Sequence, residues 1–209
     1  MYVPRSNAIE DEQAIRELVA HVGSAQLITA GGDGYPLATL LPVIWEGDTV
    51  IAHMARANDH WRQIRQDSPV LLVIAGPEAY ISPSWYPSKR EHGKVVPTWN
   101  YSAVHLAGRA RLHEDAAWLR MAVDELTERH EGRREAPWRS SDAPETFVAS
   151  QLRGIVGIEI AVERVEGKAK LSQNRSAADQ AGVVAGLLQE DAAGARAVAD
   201  QMRPSSPAV

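Results

Sequence analysis

Three apolar segments follow one another between residues 25 and 53 with only turns between them, and this spacing constrains the fold most. Ala25–Ala30 runs into Gly31-Gly32-Asp33-Gly34, a turn whose residues tolerate positive φ, and Tyr35–Trp45 returns from it. Glu46-Gly47-Asp48 turns the chain again into Thr49–His53. A doubly wound α/β fold needs a helix between most strands, and none fits here. The pattern predicts an antiparallel sheet that closes into a barrel. Pro36 and Pro42 cannot donate to a ladder, which predicts edge or bulge positions for both.

Helical periodicity appears on either side of these strands. Ile15, Leu18, Val19 and Val22 line one helical face, Asn7 and Glu10 suggest a capping box that starts the helix near Ile9, and Gly23 stops it. Asn58–Gln66 has room for one or two helical turns. Val70–Ala75 reads as a buried strand, and Val104–Leu112 alternates as another. Leu119, Ala122, Val123 and Leu126 mark a helix, and Asp142 with Glu145 suggests a second capping box heading a helix through Leu152. Ile155–Val165 alternates again, Glu166-Gly167 predicts a turn, and Lys168–Gln173 is expected to pair back as a hairpin. The alanine-rich stretch from Ser176 predicts helix as far as Met202, with Pro204–Val209 fraying. The expected architecture is a β-barrel with peripheral helices (α+β). Residues 1–186 make the barrel domain, with an N-terminal helix and helical insertions, and 187–209 a C-terminal helical tail.

Composition narrows the chemistry. With 44% apolar residues in 209, the chain can bury a substantial core. It has no cysteine, which excludes disulfides, thiol nucleophiles and thiolate metal sites. The formal net charge of -5 opposes nonspecific binding to nucleic acid or anionic membrane. The start lacks the apolar stretch of a signal peptide, and the longest apolar run, Val70–Ala75, is far short of a membrane span. A cytoplasmic protein without membrane association is expected. No P-loop or dinucleotide glycine motif, no His-Glu-x-x-His and no Gly-x-Ser-x-Gly elbow occurs, and His53 and His60 are wrongly spaced for a metal pair.

Three places carry candidate chemistry. Residues 80–101 hold five of the twelve aromatics, Tyr80, Trp85, Tyr86, Trp99 and Tyr101, where an even spread would leave about 1.3. Three prolines stiffen this stretch, and Lys89, Arg90 and Lys94 make it locally cationic. Such a loop suits a planar anionic ligand, by stacking and charge-assisted hydrogen bonds; equally, it is what packs over an open barrel end. His53-Met54-Ala55-Arg56-Ala57-Asn58 ends a strand, with Arg56 placed as a phosphate seat or as a surface cation behind an Asn58 cap. Lys168–Arg175 gathers Lys170, Ser172, Gln173, Asn174 and Arg175 after a strand, where polar residues are most often simply solvated.

Seven motifs then occur in one order along the chain: MYVPR, ITAGGDG, ISPSWYPSK, HGKVVPTWNY, VHLAGRARL, IVGIEI and KLSQNR. Together, from Met1 to about Gly186, they resemble the PaiB family, described as FMN-binding negative transcriptional regulators. The resemblance implies an FMN-binding split barrel, mainly antiparallel, forming a homodimer with flavin sites in the subunit interface. On this implication Thr39, His53, Met54, Ala55 and Arg56 hold the flavin ring edge and phosphate, with Asn58 beside them. Trp85, Ser88, Lys89, Thr98, Trp99 and Asn100 approach from the loops, and Lys170, Gln173 and Asn174 close the site. One departure stands out. Family members often read Ser-His-Leu-Pro where this chain has Thr39-Leu40-Leu41-Pro42, which keeps a hydroxyl and loses an imidazole. The resemblance implies a transcriptional repressor; the fold equally admits a flavin-dependent oxidoreductase on a small molecule, with Tyr86, His92 and His105 as candidate proton donors and any regulation indirect.

Overall fold

Successive side chains of a strand point to opposite faces, so a barrel wall needs an apolar residue at every second position. Six stretches of the computed structural model, which describes residues 1–203, follow that alternation over most of their length. They are β1 (Ser24–Ala30), β2 (Pro36–Glu46), β3 (Thr49–Ala55), β4 (Ser68–Ile81), β5 (Thr98–His113) and β6 (Ile155–Lys170). The helices are α1 (Glu12–Val22), α2 (Ser88–Glu91), α3 (Ala116–Glu131), α4 (Glu145–Arg153), α5 (Ala177–Leu187) and α6 (Ala195–Met202). The strands close a barrel in the order β1-β2-β3-β6-β5-β4, and the β1–β2, β1–β4, β2–β3 and β3–β6 ladders are antiparallel. The antiparallel barrel with helices expected from the turn spacing is the fold that forms. The expected fraying of Pro204–Val209 lies outside the described residues.

The chain divides into two compact units. The larger comprises Arg16–Ile74 and His105–Val165. Val50, Ala52 and Met54 of β3 face inward opposite Ile160, Ile158 and Val156 of β6, and all six are essentially inaccessible to solvent. Burying a valine, isoleucine or methionine side chain contributes roughly 1.5–3 kcal/mol. Pro42 pairs with Ser24 at the last position of the β1 ladder, and pairing with β3 begins at Val43, so the missing N–H falls where β2 changes partners. Gly157 of β6 sits opposite His53, and a Cβ there would lie 2.1 Å from the Trp118 ring. The glycine is what lets α3 press its tryptophan onto the sheet, where Trp118 also stacks on His113 with centroids 4.1 Å apart.

The smaller unit comprises Met1–Ile15, Ala75–Val104 and the chain from Glu166. Its core joins Ile81 and Tyr86 to Val183 and Leu187 of α5 and Val198 and Ala199 of α6. A Cβ on Gly186 would lie 2.3 Å from Trp85, so α5 docks through a glycine against the indole.

Four local expectations are corrected. Asn7 belongs to a short 3-10 turn, and α1 begins at Glu12 with the Asp11 carboxylate accepting from Gln13 N–H at 3.0 Å. The Asp142 carboxylate accepts from Arg139 N–H at 2.9 Å on its own 3-10 turn, leaving Pro144 to head α4. Glu166-Gly167 is no turn, because β6 runs unbroken to Lys170. Gly167 instead clears space for the N-terminal segment: a Cβ there would sit 2.8 Å from Ile15 and 3.1 Å from Ile9. The helix expected from Ser176 to Met202 is two helices, and Gly194, at φ 89, starts the second where a Cβ would meet the Glu78 carbonyl at 2.8 Å.

Candidate functional site

In the larger unit the β1–β2 register sets Thr39 opposite Leu27, so Thr29 and Thr39 share the inward side as diagonal neighbours. A 3-10 helix at Asp59–Gln63 follows β3, opened by Asn58, whose Oδ1 accepts from His60 N–H at 3.1 Å. That turn swings the His60 imidazole between the two threonines. Its Nε2 lies 2.8 Å from Thr29 Oγ1 and its Nδ1 2.8 Å from Thr39 Oγ1, while Asn58 Nδ2 donates to Thr39 Oγ1 at 3.3 Å. Burial pushes the His60 pKa below its ordinary value. The neutral ring then donates to one hydroxyl and accepts from the other.

The other residues expected on this strand scatter. Met54 points into the core. His53 is on the opposite side of β3, its Nδ1 enclosed without a hydrogen-bond partner among the described residues, and burial lowers its pKa. Ala55 is exposed. Arg56 is already engaged: it donates to Glu114 Oε2 at 2.5 Å, to the Arg153 carbonyl at 3.0 Å and to the Ile155 carbonyl at 3.2 Å. Its own carbonyl accepts from Trp61 Nε1 at 3.0 Å.

The smaller unit gathers a different set. Lys170, at the end of β6, donates from Nζ to Thr98 Oγ1 at 2.6 Å and to the Trp99 carbonyl at 2.5 Å. Lys170 and Thr98 border a cavity of about 200 Å³ together with Gln173, Asn174 and Arg175. Burial depresses the Lys170 pKa, and Lys168 and Arg175 push it the same way while Tyr101 opposes them. Positive charge thus collects in a partly desolvated pocket. Gln173 holds the local turn, accepting from Leu171 N–H at 2.7 Å and donating to the Ala169 carbonyl at 2.5 Å. Trp99, 46% exposed, meets Tyr80 edge-on with centroids 6.3 Å apart and donates to Glu78 Oε2 at 3.2 Å.

Three residues expected beside a ligand serve the framework of this unit. Asn100 is fully buried, exchanging hydrogen bonds with Ser172 at 3.0 and 3.2 Å. Ser88 gives its N–H and hydroxyl to the Asp179 carboxylate at 3.1 and 2.9 Å. Trp85 lies on Gly186 of α5. Lys89 is exposed and donates to Ser84 Oγ at 2.9 Å. Sequence reasoning missed His60 and Thr29. The nearest signal was Asn58 two residues before His60, a spacing that folds a side chain back over its own turn.

Strand order and helix placement define a split-barrel protein. Two solved structures share the fold. The conserved hypothetical protein Rv2991 from Mycobacterium tuberculosis matches with a TM-score of 0.60 at 16% identity, over 83% of this chain and 92% of that one. The FAD and heme binding protein from Mycobacterium smegmatis matches with a TM-score of 0.59 at 15% identity, over 82% and 77%. Residues 1–164 match the family model described as "Putative FMN-binding domain". "Protease synthase and sporulation protein PAI 2" of Bacillus subtilis (strain 168) is 34% identical, covering 97% of this chain and 96% of that protein. The chain therefore belongs to the FMN-binding PaiB family, and FMN is the cofactor that membership assigns to it. No helix among the described residues is long and apolar enough to cross a membrane.

The residues present fit such a group. A flavin phosphate is a dianion, and the Lys170 pocket offers what a dianion needs: a partly desolvated ammonium, a second cation at Arg175 and the Asn174 amide, which has no partner among the described residues. The exposed Trp99–Tyr80 pair, whose tryptophan carbonyl Lys170 already holds, offers aromatic surface in the same unit.

Proposed function

We propose that the protein is an FMN-binding homodimer acting as a negative transcriptional regulator, and that the Lys170 pocket receives the flavin phosphate. The observation that carries this reading is the ammonium held at Thr98 and Trp99 with its charge disfavoured by burial and by neighbouring cations. A bound dianion relieves that cost. When bound, FMN supplies reversible one- and two-electron chemistry. In this reading Lys170 and Arg175 neutralise the phosphate, and Thr98 and the Trp99 carbonyl orient the Lys170 ammonium. Thr39 and Asn58 of the larger unit, also assigned to the flavin by resemblance, are neutral and hydrogen-bonded to each other and to His60.

The outer face of the larger unit supports a homodimer. Leu71, Ile28 and Ala38 line up across β4, β1 and β2, and beside them run Val73, Gln26 and Leu40. Leu40 is 61% exposed, and no charge interrupts these two rows. Leucine in place of the family's histidine suits a face that a second copy covers.

The experiment is an absorbance spectrum of the purified protein, an FMN titration and light scattering after size exclusion. A saturable flavin spectrum on a dimer is expected, with Leu40→Glu shifting the protein to monomer. A colourless protein that titrates nothing would overturn the flavin site, and a monomer would overturn the dimer.

A second reading, a flavin-dependent oxidoreductase with indirect regulation, is favoured by the charge. The net charge is -5, and within the arginine-rich segment 129–139 Arg134 is paired to Glu131. A shift of promoter DNA by the purified dimer at low salt supports direct repression; its absence, with nicotinamide-dependent reduction of bound flavin, supports the enzyme.

A further inference from the structure

We infer that the larger unit carries a second ligand site, between α3 and α4, that takes a small amphipathic anion: one carboxylate or sulfonate on an apolar or aromatic body. The cavity there measures about 760 Å³, within the range of small-molecule sites. Its volume comes from small residues where two helices would otherwise fill the space: Ala116 and Ala117 open α3, and Ala149 faces them from α4. Leu119 and Leu152, both part of the local core, form the apolar floor.

Charge at the rim specifies the sign of the ligand. Two ion pairs border the cavity, Arg120 with Glu145 and Arg56 with Glu114, and each is neutral within itself. Arg153 is the fifth charged group of the lining, and its guanidinium has neither an ion pair nor a hydrogen bond among the described residues. The site therefore presents an apolar floor, closed polar walls and one uncommitted guanidinium, which suits a single anionic head. The flavin reading does not use this cavity. Arg56, assigned to the phosphate by resemblance, here serves as a wall.

The test uses the full chain and 1-anilinonaphthalene-8-sulfonate, followed by its fluorescence, with octanoate and octanol as competitors and an FMN titration alongside. One saturable site is expected, with octanoate displacing the probe at lower concentration than octanol. Ala149→Trp, which fills the cavity, should weaken the probe by more than about tenfold, and Arg153→Gln by about three- to tenfold. Ala117→Leu gives a milder filling should the tryptophan variant fail to fold. FMN affinity should be the same in all three variants. Probe binding untouched by both filling and neutralisation would overturn the site. Competitive displacement of the probe by FMN would also overturn it, by assigning the cavity to the flavin. Failure of FMN to bind at all, with the probe results as expected, would sink the flavin reading and leave this site standing.

Discussion

The two polar clusters differ in what they leave unsatisfied. In the larger unit His60, Thr29, Thr39 and Asn58 form a closed, neutral set in which each ring nitrogen has a hydroxyl 2.8 Å away. In the smaller unit Lys170 has two oxygen acceptors and, among the described residues, no carboxylate bonded to it, while Lys168 and Arg175 act on it with charges of its own sign. A completed network holds a fold together. A partly desolvated cation among cations is costly until an anion arrives, so it marks the place where a ligand supplies the missing charge.

The sharpest way to break this contrast is to remove the ammonium. Lys170→Met should weaken FMN by about 1.5–3 kcal/mol, the range for a hydrogen bond to a charged group, read as a tenfold or larger rise in Kd. Thermal stability should hold or rise, because an unfavourable charge is lost. An unchanged Kd would return the phosphate to another seat. The closed cluster should respond in the opposite sense. His60→Ala leaves two hydroxyls without their partner and should lower stability by about 1–3 kcal/mol in urea unfolding. A fall in FMN affinity beyond that of a marginally less stable protein would show that Thr39 contacts the flavin through a hydroxyl that His60 orients.

Protonation probes the same cluster more gently. His60 and His53 have pKa values lowered by burial, so between their folded values and 6.5 the unfolded chain binds more protons than the native one. Stability is therefore fully present above pH 6.5 and declines as pH falls through the folded pKa values. The melting temperature should drop between pH 7.5 and 5, and the drop should shrink in His60→Gln. An equally steep profile in that variant would assign the effect to His53 or to carboxylates.

How much of this was legible depends on which distance carries the information. Turns of three or four residues revealed the first strands and the barrel, because Gly31–Gly34 and Glu46–Asp48 act locally. Long-range contacts erased several local signals. Gly167 resembles a turn residue, yet it is a gap for Ile9 and Ile15, far away in the chain. Asn100 and Ser88 look like ligand contacts because polar residues in an aromatic loop usually are; Ser172 and Asp179, some 70 to 90 positions on, claim them. The KLSQNR motif marked the cationic cluster, but no spacing shows that Lys170 is partly desolvated while Lys89 is not.

That difference between two lysines is the smallest and most discriminating prediction. Both lie in family motifs, and both hydrogen-bond a hydroxyl at under 3 Å, Lys89 to Ser84 and Lys170 to Thr98. Lys89 is exposed, so water and salt already screen its charge, and an anion gains little by replacing water there. Lys89→Ala should therefore change FMN affinity by less than about 0.5 kcal/mol, and the change should fade as salt is raised. The Lys170→Met effect should persist better in salt, because a partly buried charge paired with the phosphate is screened much less. Equal, salt-sensitive losses at both positions would mean that a diffuse basic surface attracts the flavin, and the contrast between a closed cluster and a waiting cation would no longer locate the phosphate.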